Sequence, residues 1–140
     1  MSAQICTSVV DTPLDPVAIE KAARRTDCGA FVSFIGVVRN HDDGEGVQGI
    51  DYSAHPQAEE ILQDLVEGFA RREGVHHIEA HHRVGSLHIG DEAMVIVVAA
   101  EHRSQAFTTC SDLVDEVKVR LPIWKKQFRL DGSHEWSGLR

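Results

Sequence analysis

A run of nearly continuous apolar side chains, EAMVIVVAA at residues 92–100, constrains the fold most. Eight of its nine residues are apolar, and such a run without polar alternation is typical of a buried strand. A second run, AFVSFIGVV at residues 30–38, is rich in β-branched and aromatic side chains and predicts another central strand. The chain is therefore predicted to fold around a sheet with a buried centre.

Two long helices are predicted from apolar side chains that recur every three or four residues. The first ends at Gly74, and its apolar positions are Ala58, Ile61, Leu62, Leu65, Val66, Phe69 and Ala70. The second ends before Pro122, and its apolar stripe is Ala106, Phe107, Cys110, Leu113, Val114, Val117 and Leu121. A shorter helix is predicted at residues 15–25, with Asp15 as its N-cap.

The other segments predict further strands, at residues 4–10, 47–54, 77–85 and 123–129. Residues 39–46 are expected to form a polar loop, and Asp131-Gly132 a turn. Strands that are adjacent in the chain alternate with helices and can form hairpins. This pattern favours an α+β fold with a mixed or antiparallel sheet, in a single domain over residues 1–140.

The charge balance excludes some function classes. The chain has 22 Asp and Glu against 14 Lys and Arg, a formal net charge of −8, which argues against a general nucleic-acid or anionic-membrane binder. The sequence contains no apolar run long enough for a bilayer span and no signal-peptide pattern. Three cysteines without C-x-x-C spacing predict reduced thiols in a cytoplasmic protein.

Against this acidic background, the stretch VKVRLPIWKK at 117–126 concentrates four cations around Pro122. Lys118 is predicted at the edge of the apolar helix stripe. A lysine in such a position can have a lowered pKa, as an amine that acts as a base or nucleophile requires. The alternative is that its stem packs on the core while its ammonium group reaches water.

Two other places are candidates for anion binding. In EHRSQAF, residues 101–107, His102 and Arg103 come at the predicted start of a helix, where free backbone N–H groups favour an anion. Arg103 could instead pair with a surface carboxylate. Arg39 follows a predicted central strand and opens a glycine-containing loop, a common location for ligand contacts.

Other chemically capable residues are interpreted as structural. His77, Glu79 and His81 share one face of a predicted strand, and we expect a solvated sheet face there rather than a metal site. Cys110 lies on an apolar stripe and is expected to be an inert core thiol. The sequence contains no P-loop and no G-x-G-x-x-G motif, and no cofactor is predicted.

Four stretches, FVSFIGVVRNH, HRVGSLHIGD, EHRSQAF and VKVRLPIWKK, resemble the catalytic large subunit of molybdopterin synthase in order and spacing. The resemblance covers roughly residues 28–136. It implies a sulfur transferase that converts cyclic pyranopterin monophosphate to molybdopterin. It further implies a homodimer, with a small ubiquitin-like sulfur-carrier subunit at each end of the resulting heterotetramer, and a hammerhead-like β motif.

The resemblance also assigns roles to particular residues. Lys118 and Lys125 would be the catalytic cations, while substrate would be bound by Arg39, His102, Arg103, Lys126 and Gln127. The sequence departs from the family at Gln127 and at Ser53, where relatives often carry Glu. The sulfur would arrive as the partner's C-terminal thiocarboxylate, so no nucleophilic cysteine is required.

Two alternatives to a catalyst remain open at this level. The basic residues could form a non-catalytic site for a phosphate-containing ligand, or the chain could be a scaffold subunit for the small partner. Turnover with a thiocarboxylated partner distinguishes the enzyme from the ligand-binding module, and loss of activity on Lys118→Ala distinguishes it from the scaffold.

Overall fold

The computed structural model describes residues 2–139, and within this range the chain forms two sheets and three helices. The helices are α1 (Pro16–Ala22), α2 (Ala58–Phe69) and α3 (Arg103–Arg120). The strands are β1 (Gln4–Val10), β2 (Ala30–Val37), β3 (His41–Asp42), β4 (Glu45–Ala54), β5 (Val75–Arg83), β6 (Gly85–His88), β7 (Glu92–Ala100), β8 (Ile123–Arg129) and β9 (His134–Gly138). The predicted α+β class is confirmed.

The first sheet has the order β1-β5-β7-β2, with β1 parallel to β5 and the other pairs antiparallel. One face of this sheet packs on α2 and α3 to form the main hydrophobic core. The strand β7 is inside the sheet, and its residues from Ala93 to Ala100 are buried. The nine-residue apolar run is thus the buried strand that its composition predicts.

The opposite face of the first sheet is partly covered by the short helix α1. Val95, Val97 and Ala99 pack there against Ala23 and Ile19. Asp15 caps α1, because its carboxylate accepts a hydrogen bond from the backbone N–H of Ala18 at 3.1 Å. The helix ends at Ala22, three residues before the predicted end.

His77, Glu79 and His81 project from the same face of the first sheet, and all three are buried. The expectation of a solvated sheet face is therefore wrong. Alternation along β5 separates its two faces correctly but does not reveal that both faces are shielded from water.

The second sheet is antiparallel, with the order β3-β4-β8-β9, and β6 pairs with β4. Its strand β8 follows α3 directly. The helix stops because Pro122 lacks a backbone N–H and forces an extended conformation on Leu121, whose ψ is 123°. This chain reversal places the last turn of α3 next to β8.

The sequence-based predictions miss three strands of the second sheet, β3, β6 and β9. The expected loop 39–46 contains a hairpin, in which Asp43 and Gly44 have φ values of 48° and 80° and connect β3 to β4. Two positive φ values match the tight turn that an Asp-Gly pair favours in hairpins. The strands β6 and β9 were not predicted at all, because both are short and largely exposed.

The predicted apolar stripe of α3 contains one error. Phe107 is 61% exposed, whereas the buried residues of the helix are Ala106, Thr109, Cys110, Leu113, Val114 and Val117. At 100° per residue, this buried stripe is centred near Val117, and Phe107 falls about 80° away from it. Within residues 2–139, no helix is both long and apolar enough to cross a membrane.

Candidate active site

A cleft of about 310 Å³ opens where three elements meet: the second sheet, the end of β2 and the last turn of α3. A neighbouring cavity of about 370 Å³ extends from it towards β9. Residues that line both spaces form the boundary between them, and they are Arg39, Asp42, Lys118, Lys125, Gln127 and Leu139. The predicted catalytic lysines therefore face one continuous region, although β8 and α3 are different elements.

Lys118 and Lys125 differ in their environments. Lys118 is exposed at the mouth of the cleft, whereas Lys125 is half-buried on β8. Burial lowers the pKa of Lys125. The charges of Lys118 and Arg39 lower it further, while the charge of Asp42 raises it. The sequence left two interpretations of Lys118 open, and its exposure agrees with the one in which the ammonium group reaches water. Lys125 instead has the environment expected of a proton-transferring lysine.

Asp42 is the carboxylate in this ring of cations, and the sequence analysis missed it. Its pKa is lowered, first by a hydrogen bond from the Gln127 amide and then by the charges of Lys125 and Arg39. The Arg39 guanidinium is 3.2 Å from the Asp42 carboxylate. The signal available in the sequence was the Asp-Asp-Gly turn that begins three residues after Arg39 and folds the carboxylate back towards the arginine.

The inner wall of the cleft combines apolar side chains with two uncharged polar rings, those of Tyr52 and His82. The rings pack edge to face, with their centroids 5.1 Å apart. Burial lowers the pKa of His82 to about 4, so its imidazole is neutral near pH 7 and its Nδ1–H donates to the Arg83 carbonyl. Burial also raises the pKa of Tyr52. The positive charge is therefore confined to the mouth.

Lys126 lies on the opposite face of β8 from Lys125 and Gln127. Its ammonium group is 5.3 Å from the ring centroid of Phe128 and 5.5 Å from that of Trp136. Contacts of this kind are cation–π interactions. Lys126 is not among the residues that line the cleft, and its role in substrate binding stays a prediction.

His102 and Arg103 lie at the other end of α3. His102 is the N-cap, its backbone N–H donates to the Gln105 side chain at 3.1 Å, and both His102 and Arg103 are exposed. Arg103 and Lys118 are fifteen residues apart on one straight element, a separation of about 22 Å at 1.5 Å per residue. One chain does not bring these two predicted site residues together.

The cleft thus offers three cations, one carboxylate and a partly apolar interior. Guanidinium and ammonium groups in a partly desolvated space bind phosphate or carboxylate strongly. A lysine with a lowered pKa can also exchange a proton near neutral pH more readily than an exposed one. Anion binding coupled to proton transfer is the chemistry that this arrangement favours.

Comparison with known proteins identifies the family. The sequence profile of the MoaE protein family matches residues 9–120. The chain belongs to this family. A molybdopterin synthase catalytic subunit from Thermoplasma volcanium is 32% identical over 129 residues, which cover 91% of this chain and 94% of the relative.

Two further relatives support the assignment. Molybdopterin synthase catalytic subunit 1 from Mycobacterium tuberculosis is 35% identical over 136 residues, covering 94% of this chain and 90% of the relative. The crystal structure of molybdopterin synthase from Staphylococcus aureus superposes with a TM-score of 0.84 at 29% identity, covering 93% of this chain and 95% of that one. The predicted family and enzymatic function are confirmed: this MoaE protein is an enzyme of molybdenum cofactor biosynthesis.

Proposed function

We propose that this MoaE protein transfers sulfur from the C-terminal thiocarboxylate of a small carrier subunit to cyclic pyranopterin monophosphate, forming molybdopterin. The observation that carries the proposal is the convergence of Arg39, Lys118 and Lys125 at one cleft in a chain of net charge −8. Both proposed reactants are anions, and a local cluster of cations attracts them to the same place.

The two connected spaces suit two reactants. A pterin ring fits against the inner wall, where Tyr52, Ile50 and Met94 provide a largely apolar surface. An extended carrier tail would enter through the neighbouring cavity beside β9 and end at the shared boundary. The relatives are named catalytic subunits, which supports a requirement for a second kind of subunit.

The two lysines have different roles in this proposal. Lys125, half-buried and with a lowered pKa, transfers protons as sulfur is added. Lys118, exposed at the mouth, stabilises the negative charge of the carrier tail and of the intermediates. Asp42 holds Arg39 and Gln127 in position.

His102 and Arg103 join such a site only if a second copy of the chain supplies them, because about 22 Å of helix separates Arg103 from Lys118 in one copy. We infer a homodimer in which the N-terminal end of α3 of one protomer approaches the cleft of its partner. Phe107 supports this arrangement, since it is 61% exposed one turn after Arg103. An apolar side chain of this size is commonly covered at an interface.

A mixing experiment tests the reaction and the shared site together. Lys118→Ala and Arg103→Ala variants are each expected to be nearly inactive with thiocarboxylated carrier and precursor. After subunit exchange between them, each mixed dimer has one intact site, so about a quarter of the wild-type rate should return.

The outcomes separate the two parts of the proposal. Wild-type turnover without recovery on mixing would retain sulfur transfer and reject the shared site. Absence of product from wild-type protein, carrier and precursor would reject sulfur transfer itself. Mixing Lys118→Ala with Lys125→Ala is the matched control, because both residues belong to one protomer's cleft. Every dimer formed from these two variants has two defective sites, so no rate should return.

A further inference from the structure

Five polar side chains, three of them buried, form a cluster on the face of the first sheet that points away from α2 and α3. They are contributed by two neighbouring parallel strands, β1 and β5, and we name them the β1–β5 cluster: Cys6, Ser8, His77, Glu79 and His81. In the strand register Cys6 lies opposite Glu79, and Ser8 lies opposite His81. The cluster is outside the active-site cleft, and the proposed reaction does not use it.

Three of these side chains present metal-ligating atoms to one point. A Cys6 sulfur, a Glu79 carboxylate oxygen and a His81 ring nitrogen all lie within 4.8 Å of one another. Zinc–ligand bonds are about 2.0–2.3 Å long, so an ion between these atoms needs only small side-chain movements. A thiolate, an imidazole and a carboxylate together are a typical zinc ligand set, whereas Mg²⁺ and Ca²⁺ prefer oxygen ligands alone.

The surroundings already have the hydrogen bonds that orient zinc ligands. The Ser8 hydroxyl is 2.6 Å from Nδ1 of His81, which leaves Nε2 as the metal-facing nitrogen. Nε2 of His77 is 2.5 Å from the second carboxylate oxygen of Glu79. Outer contacts of this kind fix the tautomer of a ligating histidine and the direction of a ligating carboxylate.

We propose that Cys6, Glu79 and His81 bind a zinc ion that links β1 to β5. The ion takes the place of the proton that Nε2 of His81 and Glu79 share at 2.8 Å, and the Cys6 thiol loses its proton to solvent. One thiolate and one carboxylate balance the two charges of zinc, so the site is neutral. Cys6 is exposed, and a water molecule on that side completes the four-coordinate ion.

The structural effect of the ion would fall on β1. This strand is at the edge of the first sheet and is held by β5 alone within that sheet. A zinc ion bonded to Cys6 on β1 and to Glu79 and His81 on β5 holds the edge strand in place. Because zinc would bind the folded state alone, the melting temperature should rise with zinc concentration. The proposal does not rest on sulfur transfer, and its tests need neither carrier nor precursor.

The test uses the purified full chain, stripped of metal by a chelator and titrated with Zn²⁺ or Co²⁺. Wild-type protein should bind one equivalent, and the Co²⁺ form should show a thiolate-to-cobalt charge-transfer band. Cys6→Ser should lose that band and bind zinc at least about tenfold more weakly, and His81→Gln should bind weakly as well. Ser8→Ala, which removes an outer contact only, should weaken binding about 10–100-fold.

Cys28→Ser is the matched control, because Cys28 packs on the same face of the sheet and its Sγ contacts Asp27 at 3.5 Å. It should bind like wild type. Zinc should raise the melting temperature of wild type and of Cys28→Ser but not of Cys6→Ser. The proposal is overturned if wild type binds no stoichiometric zinc, or if folded Cys6→Ser and His81→Gln bind it as tightly as wild type.

Discussion

The two ends of α3 differ in their surroundings: other parts of the same chain form a cleft around the C-terminal end, whereas the N-terminal end is exposed. At the C-terminal end, the reversal at Pro122 and the β3–β4 hairpin surround Lys118 with Lys125, Arg39 and Asp42. At the N-terminal end, His102, Arg103 and Phe107 are all exposed. Within residues 2–139, the salt bridges of α3 join Asp112 to Arg72 and Glu116 to Arg120, and none involves Arg103.

Residues that the family resemblance assigns to a single active site therefore need not meet within one chain. An 18-residue helix is about 27 Å long, so the two ends cannot touch one small substrate together. The C-terminal end is an assembled half of a site, and the N-terminal end presents exposed groups that can bind an anion. In the proposed homodimer, the N-terminal end of α3 of one protomer lies against the cleft of its partner, and the two halves of the site are joined.

The largest expected effect on turnover comes from substitutions at the C-terminal end of α3. Lys125→Ala and Lys118→Ala should each fold and lose turnover by about 10²–10³-fold, because each removes a charged group from the reacting centre. Steady-state product formation with thiocarboxylated carrier measures the loss, and circular dichroism checks the fold. The outward-facing Lys126→Ala is the matched control on the same strand, and it should retain more activity than either.

Arginine substitutions separate the two lysine roles. Lys118→Arg keeps a charge that stabilises an anion, whereas Lys125→Arg removes a group able to lose a proton near neutral pH. Lys118→Arg should therefore be the more active of the two. Equal activity of the two arginine variants would contradict the assignment of proton transfer to Lys125.

The next effect compares the two ends directly through substrate binding. Arg39→Ala and Arg103→Ala should each weaken precursor binding by about 1.5–3 kcal/mol, as expected for a lost charge-assisted hydrogen bond. Calorimetric titration measures this, with a phosphate-free analogue to identify the contacted group. Arg24→Ala, which removes an exposed arginine paired with Glu20 on α1, should bind like wild type.

Protein concentration distinguishes the two arginines. Dilution below the dimer dissociation constant should remove the difference between wild type and Arg103→Ala, because a monomer has no partner to supply Arg103. The defect of Arg39→Ala should persist at every concentration. An Arg103→Ala defect that survives in the monomer would place Arg103 in its own chain's site and contradict the shared arrangement.

A smaller effect concerns the interface that the N-terminal end is proposed to form. Phe107→Ala should weaken dimerisation by about 1–2 kcal/mol, the apolar burial that a partly exposed phenylalanine can still gain. Sedimentation over a range of concentrations measures the dimer constant. Val17→Ala, which shortens an apolar side chain exposed on α1, is the control. An unchanged dimer constant for Phe107→Ala would remove this residue from the interface.

The fold was largely predictable because buried runs and helical spacing carry strong signals. The run at 92–100 and the stop at Pro122 fixed β7 and the end of α3 correctly. The strands β6 and β9 escaped prediction because short exposed strands show no clear period. The face that carries His77, Glu79 and His81 was misjudged because burial of a strand face depends on what covers it, and sequence alternation does not contain that information.

Four of the predicted site residues line the cleft, Arg39, Lys118, Lys125 and Gln127, but their relative geometry was not predictable. Motif resemblance named Lys118 and Lys125, but the helix register placed Lys118 only at the margin of the core and left open whether its amine is shielded or reaches water. Lys125 is instead the half-buried amine, because its side chain projects from β8 into the cleft that Arg39, Asp42 and Lys118 also line. Asp42 was missed because its importance comes from the fold of the hairpin that brings it to Arg39 and Gln127.

The smallest expected effect probes the electrostatic balance at Lys125 without needing turnover. Lys118 and Arg39 lower the pKa of Lys125, and Asp42 raises it. Asp42→Asn should therefore lower the pKa of Lys125 further, and Lys118→Met should raise it back towards the ordinary lysine value. Nuclear magnetic resonance of lysines labelled at the ε-carbon can follow this titration, because the chain has only the four lysines 21, 118, 125 and 126.

The sign of each shift follows from the charge removed. Without the Asp42 carboxylate, the protonated Lys125 loses a favourable interaction, so its proton leaves at lower pH. Without the Lys118 ammonium group, it loses a repulsion, so its proton leaves at higher pH. Lys21 on α1 does not line the cleft and serves as the internal control for the labelled spectra. An unchanged pKa of Lys125 in both variants would show that burial alone sets it, and shifts in the same direction would contradict the opposite effects assigned to Asp42 and Lys118.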